Sequence, residues 1–172
     1  VVSSFNESKK YKPDTLVVGN APQGGIISEE MKTEIISALY FGVNIISGMH
    51  DFLSNDQELV NIAKNNDAEI LDLRKPPSPP HFPIGSWINR KTPVLLVVGS
   101  DCDSGKMTTA WEIKERLRAE NKKVEFIGTG QTGILLSGGV AVDAVVADFM
   151  AGEIEHLIDK NIKEDTDLVV VE

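Results

Sequence analysis

The residues best suited to chemistry lie together in one stretch, 99–109, which reads GSDCDSGKMTT. Gly99, Ser100, Asp101, Cys102, Asp103, Ser104, Gly105, Lys106, Met107, Thr108 and Thr109 follow the P-loop pattern G-x-x-x-x-G-K-[ST] with two departures. Such a loop wraps phosphate oxygens in backbone N–H groups, and its glycines permit close approach and positive φ. The helix expected to follow adds partial positive charge at its start, and Lys106 supplies a full one. The first departure is one of spacing, with five residues between Gly99 and Gly105 where the common form has four. The second is Met107, which stands where Ser or Thr ordinarily ligates Mg²⁺; a thioether is a poor ligand for a hard cation. Thr108 and Thr109 are the candidates to replace it. Cys102 reads either as a reactive thiol beside a lysine and a helix start, or as a small loop residue.

Other candidates lie at the ends of apolar runs. His50 and Asp51 follow one such run, and a neutral imidazole there suits a general base acting on an amine. The alternative is a loop histidine beside a helix-capping Asp51. Gly128-x-Gly130-x-x-Gly133 formally matches the dinucleotide fingerprint, but Gly138 and Gly139 follow too soon for a long helix. The stretch therefore reads as a flexible loop at a sheet edge, with Gln131 and Thr132 available to bind substrate, and not as an NAD site. Glu172 ends an apolar run near the expected phosphate site and is, with Thr108, the candidate Mg²⁺ ligand. Asp143 reads as a helix cap and Asp148 as a solvated helix residue. His81 and His156 read as incidental, and three scattered His with one Cys make no zinc site.

Positioning these residues calls for an α/β fold. Apolar runs at 15–18, 43–47 and 69–73 alternate with helical patterns at 29–40 and 57–65, so residues 1–75 predict a Rossmann-like parallel sheet. Ser28 is the expected cap of the first of these helices, with Glu29 and Glu30 in its first turn. Five of the eight prolines fall within 76–83, so 76–92 reads as a proline-rich linker between domains. Residues 93–172 then predict a P-loop sheet unit. Its strands are expected at 94–98 (buried on both faces), 124–127 and 168–171, and its helices at 107–120 and 143–160. Both units read as incomplete, with sequence expected beyond each end.

Several segments together resemble the D-glutamate N-acetyltransferase-like family: GNAPQGG at 19–25, SGMHDFL at 47–53, RKPP at 74–77, the P-loop with its GKMTT, GTGQTG at 128–133 and DAVVAD at 143–148. The likeness runs in order over nearly the whole chain, and the methionine after the P-loop lysine is a mark of it. It implies a Rossmann-like domain followed by a P-loop domain, and acetyl transfer from acetyl-CoA to the amine of a D-amino acid such as D-glutamate. The P-loop spacing and the terminal strand-plus-Glu172 also resemble the dethiobiotin synthetase-like branch of P-loop proteins. That likeness implies the alternatives, an ATP- and Mg²⁺-dependent kinase or carboxylate–amine ligase; a non-catalytic nucleotide sensor is a third.

Composition narrows the partners. With 26 acidic against 17 basic residues the net charge is −9, the wrong sign for general nucleic-acid binding. A small amino-acid substrate is the expected partner, with homo-oligomerisation open. No apolar run is long enough to span a membrane, and no secretory leader is visible. A single cysteine fits a cytoplasmic location.

Overall fold

In the computed structural model of the protein, residues 2–19, 25–101 and 103–172 are described. Cys102 and most of the 19–25 stretch, both singled out above, lie outside the described residues. The chain forms two compact units, Val1–Lys75 and Pro76–Glu172.

The first unit runs α1 (Phe5–Ser8), β1 (Thr15–Val18), α2 (Glu29–Tyr40), β2 (Asn44–Ser47), α3 (Gln57–Asn65) and β3 (Ile70–Asp72). The strands are parallel in the order β1-β2-β3, with Val17 opposite Ile46 and Ile46 opposite Leu71. Local chemistry sets the helix ends. Ser28 Oγ accepts from the Met31 N–H at 3.2 Å to start α2, and Gly42, at φ +75°, turns the chain after it. Asp56 caps α3 by accepting from the Glu58 N–H at 2.9 Å, and its other oxygen pairs with Lys32 Nζ at 2.7 Å. Ile35, Leu39, Ile45 and Leu59 form the centre of the core.

The second unit runs β4 (Val94–Leu96), α4 (Lys106–Ala119), β5 (Val124–Ile127), α5 (Gln131–Ser137), α6 (Ala147–Asn161) and β6 (Leu168–Val171). Its strands are parallel in the order β4-β6-β5. Alternation along β6 splits the core into two layers. Val170 packs with Ala110, Val124 and Phe126 on the α4 side, while Val169 and Val171 pack with Ile127 and Ile158 on the α6 side.

Four features differ from expectation or sharpen it. The apolar run at 94–98 is not buried on both faces: β4 is three residues long and all three are exposed, Leu96 by 60%. Among the described strands it pairs with β6 alone. Asp143 does not cap a helix; it sits in a 3-10 turn, Val142–Ala144, and α6 begins after Val146 with no side-chain cap. Residues 131–137 form a helix, not a flexible loop, with the Ile134 N–H on Gly130 O at 3.0 Å and the Gly138 N–H on Ile134 O at 2.9 Å. Finally, the proline-rich stretch belongs to the second unit and straps down onto α6. The His81 N–H donates to Glu153 at 2.7 Å, the Ile84 and Ser86 N–H groups donate to Glu155, and Arg90 pairs with Asp159 at 2.7 Å.

Candidate functional site

The P-loop joins β4 to α4, and Lys106 is the first residue of that helix. Gly105 precedes it at φ +83°, no side chain caps the helix start, and the first turn holds no acid. The first N–H groups of α4 are thus left for an anion, with the helix dipole in support. The equivalent junction in the first unit is built the opposite way. There Ser28 caps α2 and Glu29 and Glu30 occupy its first turn, which repels an anion. Of the two helix starts, that of α4 is the one open to phosphate.

A cleft of about 300 Å³ opens here, lined by Asp103, Ser104, Gly105, Lys106, Met107, Thr108 and Glu172. Lys106 Nζ folds back over the loop, donating to Asp101 O at 2.7 Å and approaching Ser104 Oγ at 3.5 Å. Gly99 makes that fold possible. A Cβ there would lie 2.9 Å from Lys106 Cγ and closer still to Ser104 Oγ. Ser100 and Asp101 are exposed, and Thr109 lies one turn into α4 with its N–H on Gly105 O at 2.9 Å.

Glu172 enters the cleft because β6 lies between β4 and β5. The Glu172 N–H donates to Ile127 O at 3.1 Å, and its carbonyl accepts from the Thr129 N–H at 2.7 Å. Its Oε2 is buried without a hydrogen-bond partner among the described residues, against Gly133, where a Cβ would stand 3.2 Å away. Burial pushes the Glu172 carboxyl above the usual glutamate range, and the nearby Lys106 charge opposes the shift. The P-loop, the end of β6 and the start of α5 therefore meet around this one carboxyl. Gln131 opens α5 on the same sheet edge but is not among the cleft's lining residues.

Mg²⁺ at this point would find oxygen-bearing side chains on Asp103, Ser104, Thr108 and Glu172, with the thioether of Met107 beside them. Among the described residues no group of three or more His, Cys, Asp or Glu could hold a metal. An ion that needs six oxygens would draw the remainder from phosphate oxygens and water.

His50 and Asp51 lie in the other unit, exposed, on the loop after β2. The His50 N–H donates to Gly25 O at 3.3 Å, and Asp51 Oδ2 accepts from the Ile27 N–H at 3.2 Å. Asp51 thus ties two loops together and caps no helix. Sequence reasoning passed over His81 and His156, whose rings stack at 3.7 Å while His81 Nδ1 meets the buried Glu153 at 3.0 Å. The signal available was Glu153 and Glu155 set among the apolar positions of α6. Among the described residues, no helix is long and apolar enough to cross a membrane.

Comparison with known proteins agrees with both halves of this architecture. Residues 1–76 match a domain of unknown function described as the Rossmann-like domain DUF1611_N, and residues 83–172 match the P-loop domain of DUF1611. A D-glutamate N-acetyltransferase from Pseudoalteromonas sp. is 41% identical over 155 residues, covering 90% of this chain and 46% of the relative. A protein of the same name from Tritonibacter scottomollicae is 40% identical over 167 residues, 96% of this chain and 50% of the relative. The crystal structure of a DUF1611 family protein from Anabaena variabilis superposes with a TM-score of 0.91 at 34% identity, covering 99% of this chain and 50% of that one. The chain spans about half the length of the curated relatives it matches. With both domains matched in order and some 40% identity across most of its length, the chain belongs to the DUF1611 family.

Proposed function

We propose that the protein is an N-acetyltransferase that moves the acetyl group of acetyl-CoA to the amine of a D-amino acid such as D-glutamate, with the P-loop holding the CoA phosphates. The observation that carries this reading is the uncapped, acid-free start of α4, with Lys106 as its first residue in a cleft of about 300 Å³. The names of relatives at about 40% identity support the reaction class.

CoA carries a pyrophosphate and a ribose phosphate, so one cation and a row of N–H donors suit it without a metal. In this reading Lys106 leaves Asp101 O and turns to a phosphate oxygen, while Thr108 and Thr109 add hydroxyl donors. The acceptor arrives as an ammonium and must lose a proton before its nitrogen attacks the thioester carbonyl; the C–N bond forms, the C–S bond breaks, and CoA leaves as a thiolate that takes up a proton. His50 is the candidate to take that proton, with Asp51 holding its loop and Gln131 donating to the substrate. The second reading is an ATP- and Mg²⁺-dependent kinase or ligase, and the placement of Glu172 in the P-loop cleft favours it.

Isothermal titration of acetyl-CoA, CoA, ATP–Mg²⁺ and NAD into the full-length protein separates the two. CoA is expected to bind without metal, and Lys106→Ala to weaken it roughly 10- to 100-fold, from about 1.5–3 kcal/mol for a hydrogen bond to a charged group. Binding of ATP–Mg²⁺ alone would remove the acetyltransferase reading and favour the kinase or ligase.

A further inference from the structure

The loop that carries His50 is fixed at both ends by buried polar groups. At its start, Ser47 Oγ, fully buried at the end of β2, accepts from the Met49 N–H at 3.2 Å. At its far end lies the 3-10 turn Leu53–Asn55, which has no side-chain cap of its own. Asp72, the last residue of β3 and 7% exposed, supplies what that turn lacks. Its Oδ1 accepts from the Leu53 N–H at 3.0 Å and its Oδ2 from the Ser54 N–H at 2.9 Å. Both carboxylate oxygens are thereby committed to one turn, through charge-assisted bonds stronger than neutral ones.

Between these anchors the His50 ring lies against Gly25, where a Cβ would fall 2.9 Å from His50 Cγ, and the backbone N–H of His50 reaches Gly25 O. We propose that Asp72 is a positioning residue for His50: by gripping the Leu53 and Ser54 N–H groups, it sets the path of residues 48–52 and hence the place of the ring. The catalytic side of this proposal rests on His50 being the base for the acceptor amine; the positioning side does not.

The test pairs a spectroscopic readout with turnover in the full-length protein. Asp72→Asn keeps the shape of the side chain but turns one acceptor into a donor facing an N–H. The ring resonances of His50 are expected to shift in this variant while those of His81 and His156, in the other unit, stay in place. The kcat is expected to fall roughly 10- to 100-fold, the effect of a displacement on the order of 1 Å at a reacting group, with the KM for acetyl-CoA unchanged. In a His50→Ala background, Asp72→Asn should bring no further loss. Asp72→Glu, with both acceptors on a longer stem, should give an intermediate result, and it carries the test if Asp72→Asn does not fold. Unmoved His50 resonances in a folded variant would overturn the proposal, as would equal losses of turnover in both backgrounds. If His50→Ala leaves turnover intact, the base reading falls, and the resonances alone decide whether Asp72 positions the ring.

Discussion

Replacing Gly152 with alanine sets two effects of opposite sign against each other. In a helix interior, Gly→Ala ordinarily stabilises by about 1 kcal/mol through backbone entropy. Here the new Cβ would fall 2.5 Å from Phe82 C and 2.7 Å from His81 C, closer still to His81 O. These are backbone atoms of the strap, which cannot swing aside as a long side chain can. Either α6 or the strap must move. Overpacking of this kind costs about 1–3 kcal/mol. Moving the strap also strains the His81 N–H bond to Glu153, which is 2% exposed; a hydrogen bond to a charged group is worth about 1.5–3 kcal/mol. Subtracting the helix gain leaves a net destabilisation of about 1.5–5 kcal/mol. For a unit of about 100 residues that lowers the midpoint by at least about 6 °C. Tryptophan fluorescence is the fitting assay, because Trp87 and Trp111 both lie in the second unit, and Trp87 sits on the strap itself. A midpoint that rises by a few degrees would mean the helix term acts alone, and would refute the close approach of strap and helix.

Two further outcomes follow from the cleft. Gly99→Ala should weaken phosphate-ligand affinity, because its Cβ would crowd Lys106 Cγ and Ser104 Oγ. Thermal stability should change little, since the loop is exposed; titration calorimetry beside a melting curve checks both, and unchanged affinity would count against the loop geometry. Glu172→Gln should alter how stability depends on pH. The Glu172 carboxyl is raised in the folded protein above the ordinary value of 4.5, so its contribution is complete below that value and lost as pH rises through the folded one. A glutamine cannot ionise, so urea midpoints of the variant should gain on those of the wild type from about pH 4.5 upward and then level off. Parallel curves would show that Glu172 is not raised.

What the sequence disclosed is what local chemistry decides. Ser28 before Glu29 and Glu30 marked the start of α2, and α3 fell at the expected 57–65 because Asp56 and the apolar spacing act within a turn or two. The P-loop was legible for the same reason, since glycines, lysine and helix start are neighbours in the chain. The misses share a different cause. Whether the run at 94–98 is buried depends on which strands flank it, and that is not encoded in the run itself. Gly128 and Gly133 read as parts of a flexible loop, yet they serve the close approach of α5 to the end of β5; a Cβ on Gly128 would stand 2.7 Å from Gly133 Cα. The strap was legible as stiff and donor-poor, but the carboxylates that receive its few N–H groups lie about 70 positions away. Asp72 escaped notice similarly, because its partners Leu53 and Ser54 are 19 and 18 residues distant.

The exposed flank of β4 also bears on how firmly the phosphate loop is held. A strand with one neighbour opens more readily than one with two, because local unfolding there breaks a single ladder and exposes little new apolar surface. β4 is tied to β6 alone among the described strands, through bonds such as the Val97 N–H to Val171 O and the Val169 N–H to Pro93 O, both 3.0 Å. β5 is the other edge of this sheet, but it is largely buried while β4 is exposed, so the amides of β4 are the ones in this sheet with the least protection against exchange with solvent. Ligand bound at Lys106 and the start of α4 would act as a clasp on that weak seam. Slower exchange along 94–98 would then report occupancy of a cleft several residues further along the chain.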